Sequence, residues 1–446
     1  MVFVSVRRAA LIALGLAALA ASGCEEKKVA PPSNGGAPAD AMTIPPAASG
    51  VVSAHPGCEA VVQGGAKLAG MLDPGVVSVA VLKGKALIVN TIFKQAGPSG
   101  DGGAADAVET ANASRTILSA VTGALESKPE PITEPHPKDE PAGSPLTWGI
   151  ATTFGDELST LSLGTTRSGA RGCGGGTVML KGAGAEGKAI AGGHCHFSTT
   201  LAGGARGDVA IAVTDGIVDP AKGSVPAVDA IVFSAGKAKP VRLESFAVPG
   251  TAATQAPKVD ALAAAASAGS VAAAFRVTRG AVQELHVVKL APDGKQEGKV
   301  EVIDRGVIGA PALAFEGDTL HLVWATRANE KDAYSLHWTK WAKGGAPQAH
   351  QRLGTGVVSA YSPSLAIDGS RFLLAWTEGD KLGVVKAGAS NSGLTGALAL
   401  AGVISNAGID AKTPRVALDR GSMFIVWEEL AEKTKELRAS PIRCQE

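Results

Sequence analysis

In its C-terminal part the chain arranges apolar and polar positions in short alternating runs that recur. Three segments align position by position: PALAFEGDTLHLVW from Pro311, PSLAIDGSRFLLAW from Pro363 and PRVALDRGSMFIVW from Pro414. Each predicts a short strand, a turn carrying Gly317 with Asp318, Asp368 with Gly369 or Asp419 with Gly421, and a second strand ending on Trp324, Trp376 or Trp427. Along the second strand, Leu320, Leu322 and Trp324 share one face, as do Phe372, Leu374 and Trp376, and then Met423, Ile425 and Trp427. The opposite face is also apolar, with Val323, Leu373, Ala375, Phe424 and Val426. A strand apolar on both faces belongs to a sheet covered on both sides. Ala314, Ala366 and Ala417 share one position of the first strand, where a small side chain permits close approach.

Pro311, Pro363 and Pro414 stand 52 and 51 residues apart, and a period of about 50 indicates propeller blades rather than helical solenoids. Third strands are predicted over Tyr334 to Trp341 and Leu382 to Ala387, and fourth strands over Gln348 to Leu353 and Ala397 to Val403. After Trp427 there is room for one more strand, Glu436 to Ile442. A closed ring must therefore take its missing outer strand from the N-terminal side, from Cys58 to Gln63 or Val76 to Leu82, which removes an exposed edge. A degenerate copy begins at Pro257, with Phe275 in the place of the tryptophan. Strand-like runs continue upstream at Val76 to Phe93, Leu146 to Leu163, Thr177 to Phe197, Asp208 to Val218 and Ala227 to Phe233. Dividing the chain beyond Cys58 by the repeat predicts an all-β propeller of about seven four-stranded blades, within a range of six to eight. Over residues 257–446 the Pro, Ala, Asp/Gly, Trp pattern resembles bacterial exported propeller proteins. It departs from the sialidase Asp box, which sets Ser, Asp, Gly and Trp closely together, so the resemblance does not imply sialidase chemistry.

The N-terminus reads as a targeting segment. Arg7 and Arg8 precede twelve apolar or small residues, Ala9 to Ala20, followed by Ala21, Ser22, Gly23 and Cys24. A run of twelve falls short of the ~20 needed to span a bilayer. The segment resembles a bacterial lipoprotein signal peptide over residues 1–23, which implies diacylglyceryl transfer to Cys24, cleavage after Gly23 and durable attachment by more than one acyl chain. Glu25 in place of aspartate after the cysteine is compatible with delivery to the outer membrane. Residues 24–54, with Pro31, Pro32, Pro38, Pro45 and Pro46 among Ser, Gly and Ala, read as a flexible tether ahead of a propeller domain at 55–446. A low-order insertion is expected over about 95–144. Within it a helix is predicted near 105–127, with Val108, Ala111, Leu118, Val121 and Leu125 on one stripe.

Composition narrows the partners. Forty-two Lys and Arg balance 41 Asp and Glu along the chain, so there is no basic footprint for nucleic acid. Hydrophobic residues make up 45% with aromatics at 4% and 57 glycines, a composition suited to β packing of small side chains. The expected partners are the membrane, through the N-terminal lipid, and an envelope protein or glycan.

Five cysteines leave four once Cys24 is lipidated, and four allow three pairings. Cys173 with Cys195 closes a hairpin-scale loop. Cys58 with Cys444 joins the two ends of the folded region, which a ring brings together. Candidate chemistry is sparse. Gly182, Gly184, Gly187 and Lys188 approach two phosphate-loop patterns, but Ala189 replaces the Ser or Thr that a P-loop requires and a strand follows, so the segment reads as a hairpin turn. His194 and His196 share one strand face and could begin a metal site, with no further ligand nearby to complete it. Tyr334, Trp338 and Trp341 lie close together on one outer strand and could stack on a sugar or pack between blades. No G-x-S-x-G occurs, no catalytic residue is identified and no cofactor is implied. These features favour a lipid-anchored binding or assembly propeller of the cell envelope. A glycan-cleaving envelope enzyme on the same scaffold is the alternative, and a passive surface protein a third reading.

Overall fold

The computed structural model describes residues 57–72, 76–95, 108–132, 144–167, 177–181, 194–195, 201–218, 225–246, 257–354, 356–431 and 434–445. Two short strands, β1 (Cys58–Ala60) and β2 (Ala66–Leu72), precede the first blade, β3 (Val76–Leu82), β4 (Lys85–Gln95), β5 (Val108–Ser119) and β6 (Glu130–Ile132). The second blade contains β7 (Ser144–Phe154), β8 (Glu157–Arg167) and β9 (Thr177–Lys181). The third contains β10 (His194–Cys195), β11 (Leu201–Arg206), β12 (Val209–Val218), β13 (Val225–Ser234) and β14 (Lys237–Ser245). Then follow β15 (Lys258–Ala266) to β16 (Val271–Arg279), β17 (Val282–Leu290) and β18 (Glu301–Arg305) as the fourth blade, and β19 (Val307–Glu316), β20 (Thr319–Thr326), β21 (Ser335–Trp341) and β22 (Gln351–Leu353) as the fifth. The sixth is β23 (Ala360–Asp368), β24 (Arg371–Glu378), β25 (Val384–Ser390) and β26 (Gly402–Val403). The chain ends in β27 (Asp410–Asp419), β28 (Ser422–Ala431) and β29 (Thr434–Cys444).

The inner strands β3, β7, β11, β15, β19, β23 and β27 all wall one central channel, so the ring has seven blades, as the repeat length predicts. Hydrogen bonding merges the first two blades into one sheet, because β5 and β7 meet in parallel at Ala111 and Leu146. Elsewhere each blade is antiparallel, and its two faces enter different cores. Leu320, Leu322 and Trp324 pack with the fourth blade, while Val323 and Ala325 pack with Phe372, Leu374 and Trp376 of the sixth. Leu373 and Ala375 face Met423, Ile425 and Trp427 in turn. Both faces of these blades are thus buried by their neighbours, which is why the middle of the second strand is mostly apolar on both faces. Close stacking at the hub needs small residues: a Cβ on Gly204 of β11 would lie 2.8 Å from Ala265 Cα in β15.

Closure uses the first of the two N-terminal candidates. β1 pairs with β29, setting Cys58 opposite Cys444, and the two form a disulfide across 386 residues of sequence. β2 adds a further pairing to β29, whereas Val76–Leu82 is an inner strand of the first blade. Within the sixth blade, residues expected as the fourth strand form a short helix, α1 (Leu394–Ala399), before β26.

The helix expected near 105–127 is not present: β5 occupies Val108–Ser119 and pairs along β4. Ala111, Leu118 and Ala120 are buried, but Val121 and Leu125, the end of the helical stripe, are exposed. Thr110, Asn112 and Ser114 alternate with Ala111 and Ala113 at the period of a strand, and the apolar β4 supplies a long partner edge.

Candidate functional site

The inner strands all run the same way, so the channel has two unlike ends. Its wall, about 870 Å³ in volume, is mainly aliphatic, and the charged residues among the described lining are Arg206, Asp318 and Arg415. Arg415 donates from Nη1 to the Pro414 carbonyl at 2.8 Å. Burial pushes its guanidinium below the usual arginine range, opposed by Glu428.

One end carries the turns between each inner strand and the next, and these turns are stitched together. Lys83 N donates to Asp419 Oδ2 at 2.9 Å, Arg420 N to Asp368 Oδ2 at 2.8 Å, and Gly155 N to the Gly207 carbonyl at 2.8 Å. Arg206 of the third blade reaches the sixth blade and donates to Asp368 Oδ1 at 2.9 Å. Burial alone would raise the Asp368 pKa, but the Arg206 guanidinium and the Arg420 N–H outweigh it and hold the carboxyl below its usual value.

At the opposite end, the connections that follow the second strands of the fifth and sixth blades, with the link between these blades, enclose a groove of about 570 Å³. Arg327, Glu330, Asp332, Tyr334, Tyr361 and Asp380 are among its walls. The Arg327 guanidinium lies 4.8 Å from the centre of the Tyr334 ring, a cation–π distance. Asn329 Nδ2 donates to Asp332 Oδ2 at 2.8 Å, Tyr334 N to Ser359 Oγ at 3.3 Å, and Gly379 N to the Ser359 carbonyl at 2.8 Å, which ties the three loops together. The inner strands aim the floor. Register shifts follow Ile308 in β19 and Tyr361 in β23, with Gly309 and Ser362 left-handed at φ 61° and 51°, and such bulges redirect the adjoining side chain. The repeated proline lies within or beside this bulge, where the ladder does not need its missing N–H. Burial raises the Tyr361 phenol above its usual value, with Lys412 opposing and Asp410 and Asp380 adding to it, so its hydroxyl remains neutral and able to donate.

A third arrangement recurs toward the outside of the blades. The aromatic of the second strand pairs across to a basic residue of the third: Phe275 with His286, Trp324 with His337, Trp376 with Lys386 and Trp427 with Arg438. Three of these bases meet carboxylates. His286 Nδ1 lies 2.9 Å from Glu244 Oε2, Lys386 pairs with Glu378, and Arg438 with Glu436 and Glu429. His337 differs. It lies with Asp304 of β18 and His350 in a group whose ligand atoms are all within 4.8 Å of one another, and its buried Nδ1 has no hydrogen-bond partner among the described residues. Desolvation lowers its pKa, opposed by Asp304 and reinforced by His350 and Arg352.

Of the residues singled out from sequence, Cys58 and Cys444 are joined as expected. His194 belongs to β10, paired with Val218; His196, Cys173, the glycine-rich segment 182–188 and Cys24 lie outside the described residues. The aromatic trio divides. Trp341 is buried and donates from Nε1 to the Gly345 carbonyl, and Trp338 stacks on His321 and donates to its Nδ1, so both serve packing. Tyr334 alone of the three reaches the groove. Sequence reading missed Asp304, His337 and His350, whose spacing fits no motif; the signal that would have found His337 is the basic residue recurring ten to thirteen positions after each aromatic.

No family model and no curated protein matches the chain. Among solved structures it is similar to a sialidase of Trypanosoma rangeli, at 10% identity and a TM-score of 0.42 over 83% of this chain and 53% of the sialidase. It is also similar to the GH43_1 enzyme from Xanthomonas citri complexed with xylose, at 11% identity and a TM-score of 0.31 over 55% of this chain and 86% of that enzyme. The chain thus spans about half the length of the sialidase.

Proposed function

We propose that this protein is a lipid-anchored binding propeller of the cell envelope that holds a glycan in the groove between its fifth and sixth blades. The observation that carries the reading is the pairing of aromatic rings with fixed polar groups. Tyr334 and Tyr361 offer ring faces and Arg327 a cation, while Ser359 and Asp380 add hydrogen-bonding groups at the same concave groove. Sugars are bound by stacking on rings and by convergent polar groups, and such sites are concave and few. The lipid on Cys24 and the tether over residues 24–54 would set the reach of the groove from the membrane.

The test is calorimetric titration of the full mature chain with envelope polysaccharide fragments. Binding weakened at least tenfold by Tyr361→Ala and by Tyr334→Ala supports the reading; no binding, or binding indifferent to both changes, overturns it. Labelling cells with an acyl-chain probe should mark the wild type and not Cys24→Ala.

Glycan cleavage is the second reading. It is the activity named for the sialidase, and what favours it in this chain is the gathering of the Glu330, Asp332 and Asp380 side chains at one groove, since glycoside hydrolysis uses a pair of carboxylates. Release of reducing ends from polysaccharide, lost on Glu330→Gln or Asp380→Asn, would establish it over simple binding.

A further inference from the structure

We infer that Asp304, His337 and His350 form a site for one divalent transition-metal ion of the zinc class, clamping the fourth blade to the fifth. Asp304 comes from β18, the outer strand of the fourth blade, whereas His337 lies on β21 and His350 just before β22, both in the fifth. Two imidazoles and one carboxylate are a donor set for zinc and its neighbours in the first transition row rather than for calcium or magnesium, which favour oxygen. The ligand atoms, within 4.8 Å of one another, need only small side-chain rotations to reach bonds of about 2.0–2.2 Å.

Two independent observations support a metal over a packing role. The first is the buried, unpartnered Nδ1 of His337. Buried polar nitrogens are almost always satisfied, and at the equivalent position of the fourth blade His286 is satisfied, by Glu244 and Glu284. The second is the setting of the carboxylate. Trp324 Nε1 donates to Asp304 Oδ2 at 2.8 Å and the Arg305 N–H to Oδ1 at 2.8 Å, which orients the group while leaving lone pairs on both oxygens, as second-shell donors do for metal-bound carboxylates. His350 is on the exposed side of the group and provides the route of entry.

Trp324 is a built-in reporter, its ring centre 5.9 Å from that of His337 and 5.7 Å from that of His350. The experiment takes the full mature chain stripped with chelator and titrates it with zinc(II) by calorimetry and with copper(II) by tryptophan fluorescence. One equivalent of zinc should bind, and one equivalent of copper should quench a component of emission that is lost in Trp324→Phe. Because His350 is exposed, His350→Ala keeps the fold intact, and it should weaken zinc binding by more than the roughly 10–100-fold that loss of an outer-shell partner costs. Asp304→Asn should weaken it as well. A wild type that binds no zinc, equal binding in wild type and His350→Ala, or binding abolished instead by joint replacement of His194 and His196 would each overturn the assignment.

Discussion

The two ends of the channel are made from the same repeated unit and have diverged in opposite directions. At the turn end, the turns that follow the inner strands are short and backbone N–H groups of one turn find carboxylates of the next, as with Lys83 on Asp419 and Arg420 on Asp368. At the loop end the connections after the second strands of the fifth and sixth blades lengthen, and the groups they carry, Arg327, Tyr334 and Asp380, face a groove with Tyr361 of β23. A ring needs its blades fixed to one another at one end only. Once the turns and the stacked cores do that, the other end is free to vary in length and chemistry, which is where binding residues concentrate on rigid scaffolds.

The largest perturbation that sharpens this contrast is opening the seam. Replacing Cys58 and Cys444 together by Ala releases a closed loop spanning 386 residues of sequence, and the chain-entropy account gives a loss of about 6 kcal/mol. Thermal unfolding should shift downward, while partner binding measured well below the transition should survive, because none of the residues lining the groove belongs to β1 or β29. Next in size is Asp368→Asn at the turn end. It weakens the link to Arg206 across the channel mouth and to the Arg420 N–H, at a cost of about 1 kcal/mol given the exposure of Arg206, with no effect on binding. The pH dependence has a definite sign. Because the folded-state pKa of Asp368 lies below its ordinary value of 3.8, its contribution is fully present above that value and is lost as the pH falls from there through the folded pKa. Denaturation followed over that acid range should show a steeper loss in the wild type than in Asp368→Asn. The smallest effect is expected at the loop-end bulge of β27. Thr413 is left-handed at φ 51°, and its buried Oγ1 has no partner among the described residues. Thr413→Gly relieves a strain of about 1 kcal/mol or more while increasing the entropy of the unfolded chain, for a net gain of about 0.5 kcal/mol in chemical denaturation.

The scaffold was more legible in the sequence than the groove. Pro311, Pro363 and Pro414 mark a bulge that every inner strand from β19 onward repeats, and the tryptophans mark faces buried by the next blade, so a physical necessity recurs at a fixed period. The apolar spacing of three and four near 105–127 gives no helix because Thr110, Asn112 and Ser114 also alternate with Ala111 and Ala113, and the edge of β4 pairs with that alternation to make β5. The groove left little trace, since Ile308 and Tyr361 reach it from two inner strands and Tyr334 and Asp380 from two connections, and no spacing links them. His337 was visible only as a member of the aromatic-plus-base pair; what distinguishes it from His286 is the identity of the group opposite, which depends on how two blades dock.

The division of labour between the two ends can be tested directly by placing a photocrosslinking amino acid at Tyr361 of the groove and, separately, at Lys83 of the turns, and irradiating living cells. The account predicts discrete adducts with envelope material from position 361 and none from position 83. Equal labelling from both positions, or adducts from position 83 alone, would contradict it.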